Sequence, residues 1–475
     1  MADEPPSVLS TQHSVLTSRY LEFSDSTELL QALLALDPTL QVHILDSCRT
    51  LPNAESDREE ARYLIAGFEP VEVVNQNHYN RDLLSLLDAR LVELNLAGIK
   101  NHSTTGFGGA CIATFSYELV HQIEHLRTEK FALEEPIASL AFFDTMIVHD
   151  YFDARTKIIS TGGEKRLRHV QKILEDSRTR SERQTSKSGF VKGVAVEASS
   201  NFTRQQYLNT IEKIRGHIYA GDIYQANLTQ RLTCPLHEPL TPEQVFLNLR
   251  RDHPASFAAF IRRDSDVVIS ASPERFISVC LENNTRMAEM WPIKGTRPRG
   301  RTPAEDAELR TALLTSQKDR SENIMIVDLV RNDLGRISEY GSVEVKSLCE
   351  IQEHPTLWHL ISKVRSRLRA DVTPGELIRA IFPCGSVTGA PKIRAMEIIS
   401  EMEHCPRGIS MGAIGYFGFD GHIDLSVAIR TMTIREGKAS FNVGGGIVAE
   451  SRAEDEYEES LLKARALLAA LHARF

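Results

Sequence analysis

Trp291-Pro292-Ile293-Lys294-Gly295-Thr296-Arg297-Pro298-Arg299-Gly300 sets a single lysine between two prolines and beside a glycine. Proline fixes the backbone on both flanks and glycine frees it at one point, a setting that suits holding an amine still against a ligand. Just upstream, residues 267–277 read as a strand running into Pro273, with Glu274 presented at the break, and such breaks are where sites sit. Just downstream, Thr302-Pro303-Ala304-Glu305 reads as a capping box with proline at the first helical position, and a second helical stretch runs from Asp319 to Gly335.

Farther out, Thr203 and Gln206 form a capping-box pattern ahead of Tyr207, Ile211, Ile214 and Ile218, so a helix runs up to Gly221. Residues 224–232 alternate as a strand with Gln225, Asn227 and Thr229 on one polar face. The charged, serine-rich run 175–199 reads as a linker. It separates a loose tail (1–14) and an N-terminal region (15–174) from a domain spanning 200–475. In the N-terminal region, residues 107–118 (FGGACIATFSYE) pack small residues before an aromatic and an acid, the pattern of a glycine-containing core strand.

Composition excludes several classes. The 475 residues allow either two modules or one large interleaved domain, and 42% hydrophobic with 25% charged residues is ordinary for a soluble globular protein. A net charge of -9 argues against a dedicated nucleic-acid binder, which needs a basic surface. The 7 cysteines are scattered and never spaced Cys-x-x-Cys, so neither a disulfide framework nor a zinc site is expected. With no signal-like N-terminus and no stretch of about 20 apolar residues, a cytoplasmic protein without membrane contact is expected.

Toward the C-terminus, Glu456, Glu459 and Lys463 lie at i, i+3 and i+7 on a helix from about Ala453 to His472 and share one face. A solvated charged stripe has the same spacing. Mg²⁺ takes hard oxygen ligands, and Glu322, Glu456 and Glu459 could supply them, with Glu322 coming from a different helix. Gly444-Gly445-Gly446 is either a plain loop or a run of backbone N–H groups open to an anion. Arg430, inside a strand-like run, wants a carboxylate partner, structural or substrate. His359 sits in an apolar segment, where a satisfied core histidine is the ordinary reading. Residues 385–392 (GSVTGAPK) miss the phosphate-loop spacing, which argues against nucleotide binding.

Taken in order, SPERF (272–276), PIKGTRPRG (292–300), DRSENIMIVDLVRNDLGRI (319–337), GSVTGAPKIRAMEII (385–399), AIGYFGF (413–419), VAIRTM (427–432) and the GGGIV to EYEESLLKA segment resemble the chorismate-utilising enzymes. That group includes the large components of anthranilate and aminodeoxychorismate synthases and the isochorismate and salicylate synthases. Residues 15–170 resemble the N-terminal region of the first two, through ILDS (44–47) and GGACIATFSYE (108–118). The resemblance implies an α+β fold, with large antiparallel sheets in a sandwich-like core wrapped by helices. The lysine of PIKGT resembles the aminodeoxychorismate synthase branch, where the anthranilate branch usually has alanine. It implies that Lys294 adds to C2 of chorismate and expels the C4 hydroxyl, after which ammonia adds at C4 and expels the lysine. Lys294 must lose its proton to attack, for which burial or the neighbours Arg297 and Arg299 are candidates.

The same resemblance implies Glu274 as general acid and base, and Glu322, Glu456 and Glu459 as Mg²⁺ ligands. It implies Tyr416, Arg430 and Gly444, Gly445 and Gly446 around the enolpyruvyl carboxylate, and Thr296, Ser386 and Thr388 on the ring-carboxylate side. Gln225 then stands near C2, Lys463 beside the metal and His359 near the ring. His253-Pro254-Ala255-Ser256-Phe257 departs from the Asn-Pro-Ser-Pro-Tyr segment of tryptophan-regulated relatives, which speaks against that control. No glutaminase nucleophile motif or fused lyase is found, so ammonia is expected from a separate glutamine amidotransferase subunit, with the product passing to 4-aminobenzoate and folate synthesis. The alternatives are amination at C2 with pyruvate elimination, or a non-catalytic chorismate-binding paralogue.

Overall fold

Pro273 has no N–H to give to a ladder, and the strand Val267–Ser272 ends there. The next strand, Arg275–Glu282, belongs to a different sheet, so Glu274 stands where the chain crosses from one sheet to the other. A computed structural model describes residues 16–48, 62–79, 81–96, 108–128, 130–185, 196–353 and 357–475. The expected tail 1–14, Phe107 and residues 186–195 of the expected linker lie outside them.

Among the described residues, one large sheet has 12 strands and a second has 10, with antiparallel pairings in both. Both are built from the two halves of the sequence. In the larger, His43–Asp46 pairs with Phe257–Arg262. In the smaller, Ala110–Phe115 pairs with Ala413–Gly418, Phe115 opposite Ala413. Between the sheets lies a core of Ile65, Ala110, Ile112, Phe143, Met146, Ile261, Val268 and Ile414, and helices cover the outer faces. Leu33, Leu174, Phe246 and Leu467 pack with Phe260 and Phe441 on one side. Leu84, Val327 and Ile378 join the core that holds Phe115, Phe276 and Phe417 on the other. This is the expected α+β sandwich. The two halves of the sequence share each sheet, so they do not stack as separate modules.

Two local expectations change. The run read as linker from 175 is helical to Thr185, as the end of Gly163–Thr185. Leu167, Val170, Leu174, Ser177 and Ser181 form its buried stripe, and Ser177 Oγ donates to the Ala32 carbonyl at 2.7 Å. Small serines bury as well as apolar residues at helical spacing, which composition alone hides. The Thr203 capping box forms with both of its bonds. At Thr302 half of the box forms: its hydroxyl accepts the Glu305 N–H, while the Glu305 carboxylate takes the Arg301 N–H instead.

Candidate active site

The strand Ile293–Pro298 lies at the edge of the smaller sheet beside Leu357–Arg367, and it carries Lys294. Gly295 takes φ +83°, and a Cβ there would stand 2.9 Å from Asp319 and Leu313, so both conformation and space call for glycine. Lys294 Nζ donates to the Ser386 carbonyl at 3.1 Å. Its charge acts on Glu274, Glu322 and Glu459, which arrive on three other elements. Two residues along the same strand, Thr296 Oγ1 meets His359 Nδ1 of the neighbouring strand at 3.0 Å, with His359 buried.

Glu274 is 3% exposed, and burial pushes its carboxyl up to about 7 against the opposing effects of Lys294 and the Ser386 hydroxyl. Its Oε1 has no hydrogen-bond partner among the described residues. A carboxyl poised near neutrality with an unused oxygen is fit to pass a proton to a ligand atom. Ser386 serves both groups, its carbonyl accepting from Lys294 and its side chain facing Glu274. Thr388, wholly buried, turns its hydroxyl onto the Cys384 and Gly385 carbonyls at 3.3 Å each and closes its own loop.

Gly444, Gly445 and Gly446 lie within the strand Lys438–Ile447, opposite Thr229, Leu228 and Asn227. They are therefore neither a loop nor an amide nest. A Cβ at Gly444 would meet the Leu228 carbonyl oxygen at 1.8 Å, and one at Gly446 would meet Gln225 Nε2 at 2.0 Å. At Gly445 it would stand 3.4 Å from Glu456 Oε2, 3.5 Å from Glu459 Oε1 and 3.5 Å from Lys463 Nζ. Gly445 is thus the floor of a recess rimmed by acid tips, and bare Gly446 makes room for Gln225. The Gln225 Oε1, buried, has no partner among the described residues.

Glu456 is 4% exposed and accepts from Ser451 Oγ at 2.6 Å and Lys318 Nζ at 3.2 Å. For Glu459, burial is the largest effect and pushes the carboxyl up, but Lys463 at 2.8 Å together with Lys318 and Lys294 turns the net direction down. For Glu322, burial dominates and the carboxyl rises despite Lys294 and Lys318. Lys463 also donates to the Gly444 carbonyl at 2.9 Å, which ties it to the recess floor. The donor set is all carboxylate oxygen, the kind Mg²⁺ takes, with two of the three acids reaching one recess. Among the described residues, no three His, Cys, Asp or Glu side chains converge closely enough to hold a metal ion.

Arg430 takes φ +48°, and its guanidinium has no recorded ion pair or hydrogen bond among the described residues. Burial alone lowers its pKa, so it sits as a partly buried cation without a carboxylate. Its carbonyl accepts from Ala271 N at 3.1 Å, and Val427 N donates to the Glu274 carbonyl at 3.0 Å, which stitches its turn to the Glu274 break.

Tyr416, expected around the enolpyruvyl carboxylate, lines a cavity with Asp46, Ser47, Tyr63, Phe257 and Asp424. One expectation fails on geometry. Arg297 and Arg299 are neutralised by Asp319 at 2.9 Å and Asp306 at 2.7 Å, so they are not free to act on Lys294. Sequence reading also missed Lys318, one turn before Glu322 on the same helix, and Ser451. The i, i+4 spacing of Lys318 and Glu322 was the available signal for the first.

A model of the family described as chorismate binding enzyme matches residues 52–469. The chain belongs to that family of chorismate-binding enzymes. Aminodeoxychorismate synthase component 1 of Klebsiella aerogenes is 37% identical over 393 residues, 82% of each chain. Anthranilate synthase component 1 of Acetivibrio thermocellus is 33% identical over 450 residues, 89% of this chain and 90% of its own. Aminodeoxychorismate synthase of Streptomyces griseus is a longer protein, 47% identical over 272 residues, of which this chain spans 37%. The crystal structure of anthranilate synthase component I from Streptococcus pneumoniae TIGR4 superposes with a TM-score of 0.72 at 28% identity, over 88% of this chain and 94% of that one. The relatives thus divide between two products. No described helix is long and apolar enough to cross a membrane.

Proposed function

We propose that this chain aminates chorismate at C4, as an aminodeoxychorismate synthase component I, with ammonia delivered by a separate glutaminase subunit and the product passing to 4-aminobenzoate and folate synthesis. The observation that carries the reading is Lys294: an amine on a stiff edge strand, 3.1 Å from the Ser386 carbonyl and within electrostatic reach of the buried acid Glu274. An amine placed there can add to C2 of the ring. The C4 hydroxyl leaves as water on taking the Glu274 proton, and ammonia then displaces the lysine from C2 by attack at C4. Two displacements put nitrogen at C4 with retained configuration. Arg430, with no carboxylate partner among the described residues, suits the enolpyruvyl carboxylate. Glu322, Glu456 and Glu459 would hold Mg²⁺, which when bound would offset the charge of the ring carboxylate.

The rival is C2 amination with loss of pyruvate, favoured by the equal standing of the Acetivibrio thermocellus relative. Incubation with chorismate, ammonium and Mg²⁺ separates the two. 4-Aminobenzoate appearing only after a lyase is added supports the proposal, and fluorescent anthranilate formed without lyase overturns it. A protein that binds chorismate and turns nothing over returns the paralogue reading.

A further inference from the structure

We propose that Arg407 is a positioning residue of the active site: its buried guanidinium sets the turn that carries Ser386 against the strand that carries Gln225. This rests on the reading of Lys294 and Glu274 as the reacting pair. Arg407 has a recorded bond to neither, and its side chain is 2% exposed. It stands four residues after Glu403, the last residue of the helix Lys392–Glu403.

Part of its bonding is an ion pair. Nε donates to Glu403 Oε2 at 2.8 Å and Nη2 to Glu403 Oε1 at 2.7 Å, the forked geometry that fits a guanidinium to a carboxylate. Charge compensation needs no more than that, yet the guanidinium reaches two further atoms. Nη1 donates to the Val387 carbonyl at 2.8 Å, and Nη2 to the Asn227 carbonyl at 2.6 Å. Val387 follows Ser386, whose carbonyl accepts from Lys294 and whose side chain faces Glu274. Asn227 stands two residues from Gln225 on the strand Gln225–Pro235, opposite Gly446. Two walls of the site thus end on one cation. Glu403 grips the same strand, its Oε1 accepting the Thr229 N–H at 2.6 Å and Thr229 Oγ1 at 2.8 Å. From the N-terminal half, Glu118 accepts the Arg407 N–H at 2.6 Å, and the Tyr117 ring centroid lies 4.6 Å from the guanidinium. Direct bonds between turn and strand run from Asn227 N to the Thr388 carbonyl and from Tyr224 N to the Ala390 carbonyl, both beyond Val387. Arg407 is therefore the hold nearest to Ser386. A lysine keeps the charge beside Glu403 but lacks the planar fork that spans both carbonyls as well.

The test compares the full chain with Arg407→Lys in steady-state chorismate consumption from about pH 6 to 9, with Tm measured alongside. Arg407→Lys is expected to lower kcat about tenfold or more, on the scale of a misplacement of about 1 Å. The Ser386 hydroxyl holds the Glu274 carboxyl down, so its withdrawal is expected to move the falling limb of kcat/KM from about 7 to higher pH. A loss of stability alone moves no limb. If the lysine variant does not fold, Arg407→Met combined with Glu403→Gln removes both buried charges together and is read in the same way. A folded variant too slow to assay is read from its crystal structure, where a Ser386 carbonyl drawn away from Lys294 supports the proposal. A variant that keeps the wild-type limb, or that holds Ser386 in place, overturns it and leaves Arg407 a structural ion pair. A wild type with no falling limb near pH 7 overturns instead the reading of Glu274 beneath it, a result seen before any variant is made.

Discussion

Lys294 and Glu274 divide the proposed chemistry between a nucleophile and a proton carrier, and each can be removed singly. Lys294→Ala is expected to lower C4 amination by about 10² or more and to abolish any chorismate-derived adduct seen by intact-mass spectrometry. Unchanged turnover would remove Lys294 as nucleophile. Glu274 gives the pH dependence. Burial holds its carboxyl at about 7, above the ordinary range, so the acid form that protonates the departing hydroxyl dominates below that pH and is lost above it. The expected profile of kcat/KM falls as pH rises through about 7. Glu274→Gln is expected to erase that limb at a rate about 10² lower or less. A profile flat from pH 6 to 9 in the wild type would count against this role. Both residues were legible in the chain, Lys294 from its proline frame and Glu274 from the strand break. The raised pKa was not, because it comes from burial that only packing creates.

At the scale of the element, the glycine strand separates folding from function. A Cβ at Gly444 would press into the Leu228 carbonyl of the paired strand, and backbone cannot give way as a side-chain tip can. Gly444→Ala is therefore expected to cost on the order of 1–3 kcal/mol or more, read as a fall in Tm, with activity lost as the strand carrying Leu228 and Thr229 is pushed away. Gly445→Ala meets only acid and lysine tips at 3.4 to 3.5 Å, so Tm is expected to hold within a few degrees. Its methyl fills the recess floor, and activity is expected to fall severalfold or more in steady-state assays. Equal losses of Tm in both variants would remove the distinction. Sequence reading took the three glycines as a plain loop or as backbone N–H groups open to an anion, since triple glycine is usually punctuation. The ladder to Gln225–Pro235 makes them strand, because a neighbouring chain passes too close for side chains.

Across the whole molecule, the interleaved sheets make the N-terminal half part of the catalytic half. Glu118 shows how tightly. Its carboxylate accepts the backbone N–H groups of Arg407 at 2.6 Å and Gly408 at 3.0 Å, far along the chain. Burial outweighs these bonds and pushes its carboxyl up to about 7. The folded pKa then lies above the unfolded one, so its stability contribution is full below about pH 4.5 and is lost as pH rises through about 7. Chemical denaturation across this window is expected to show stability falling by an amount of order a few kcal/mol, shared with Glu274. Glu118→Gln, which cannot ionise, is expected to flatten part of that slope. An identical slope in the variant would mean that Glu118 does not titrate there.

The chain by itself determined what is local or ordered along it. The Thr203 capping box, the strand break at Pro273, the amphipathic C-terminal helix and the succession of motifs read correctly, because each depends on residues within a few positions. Tertiary structure decided what depends on distant partners. Packing set Tyr416 in the lining of the cavity beside Ser47, and ion pairs with Asp319 and Asp306 engage Arg297 and Arg299. Packing turned the charged run to Thr185 into helix, and the approach of Lys318 to Glu456 on another helix brought in Lys318. A residue's type and spacing state which charge or bond it can offer, but which partner it meets is fixed only when separate segments are brought within a few ångströms.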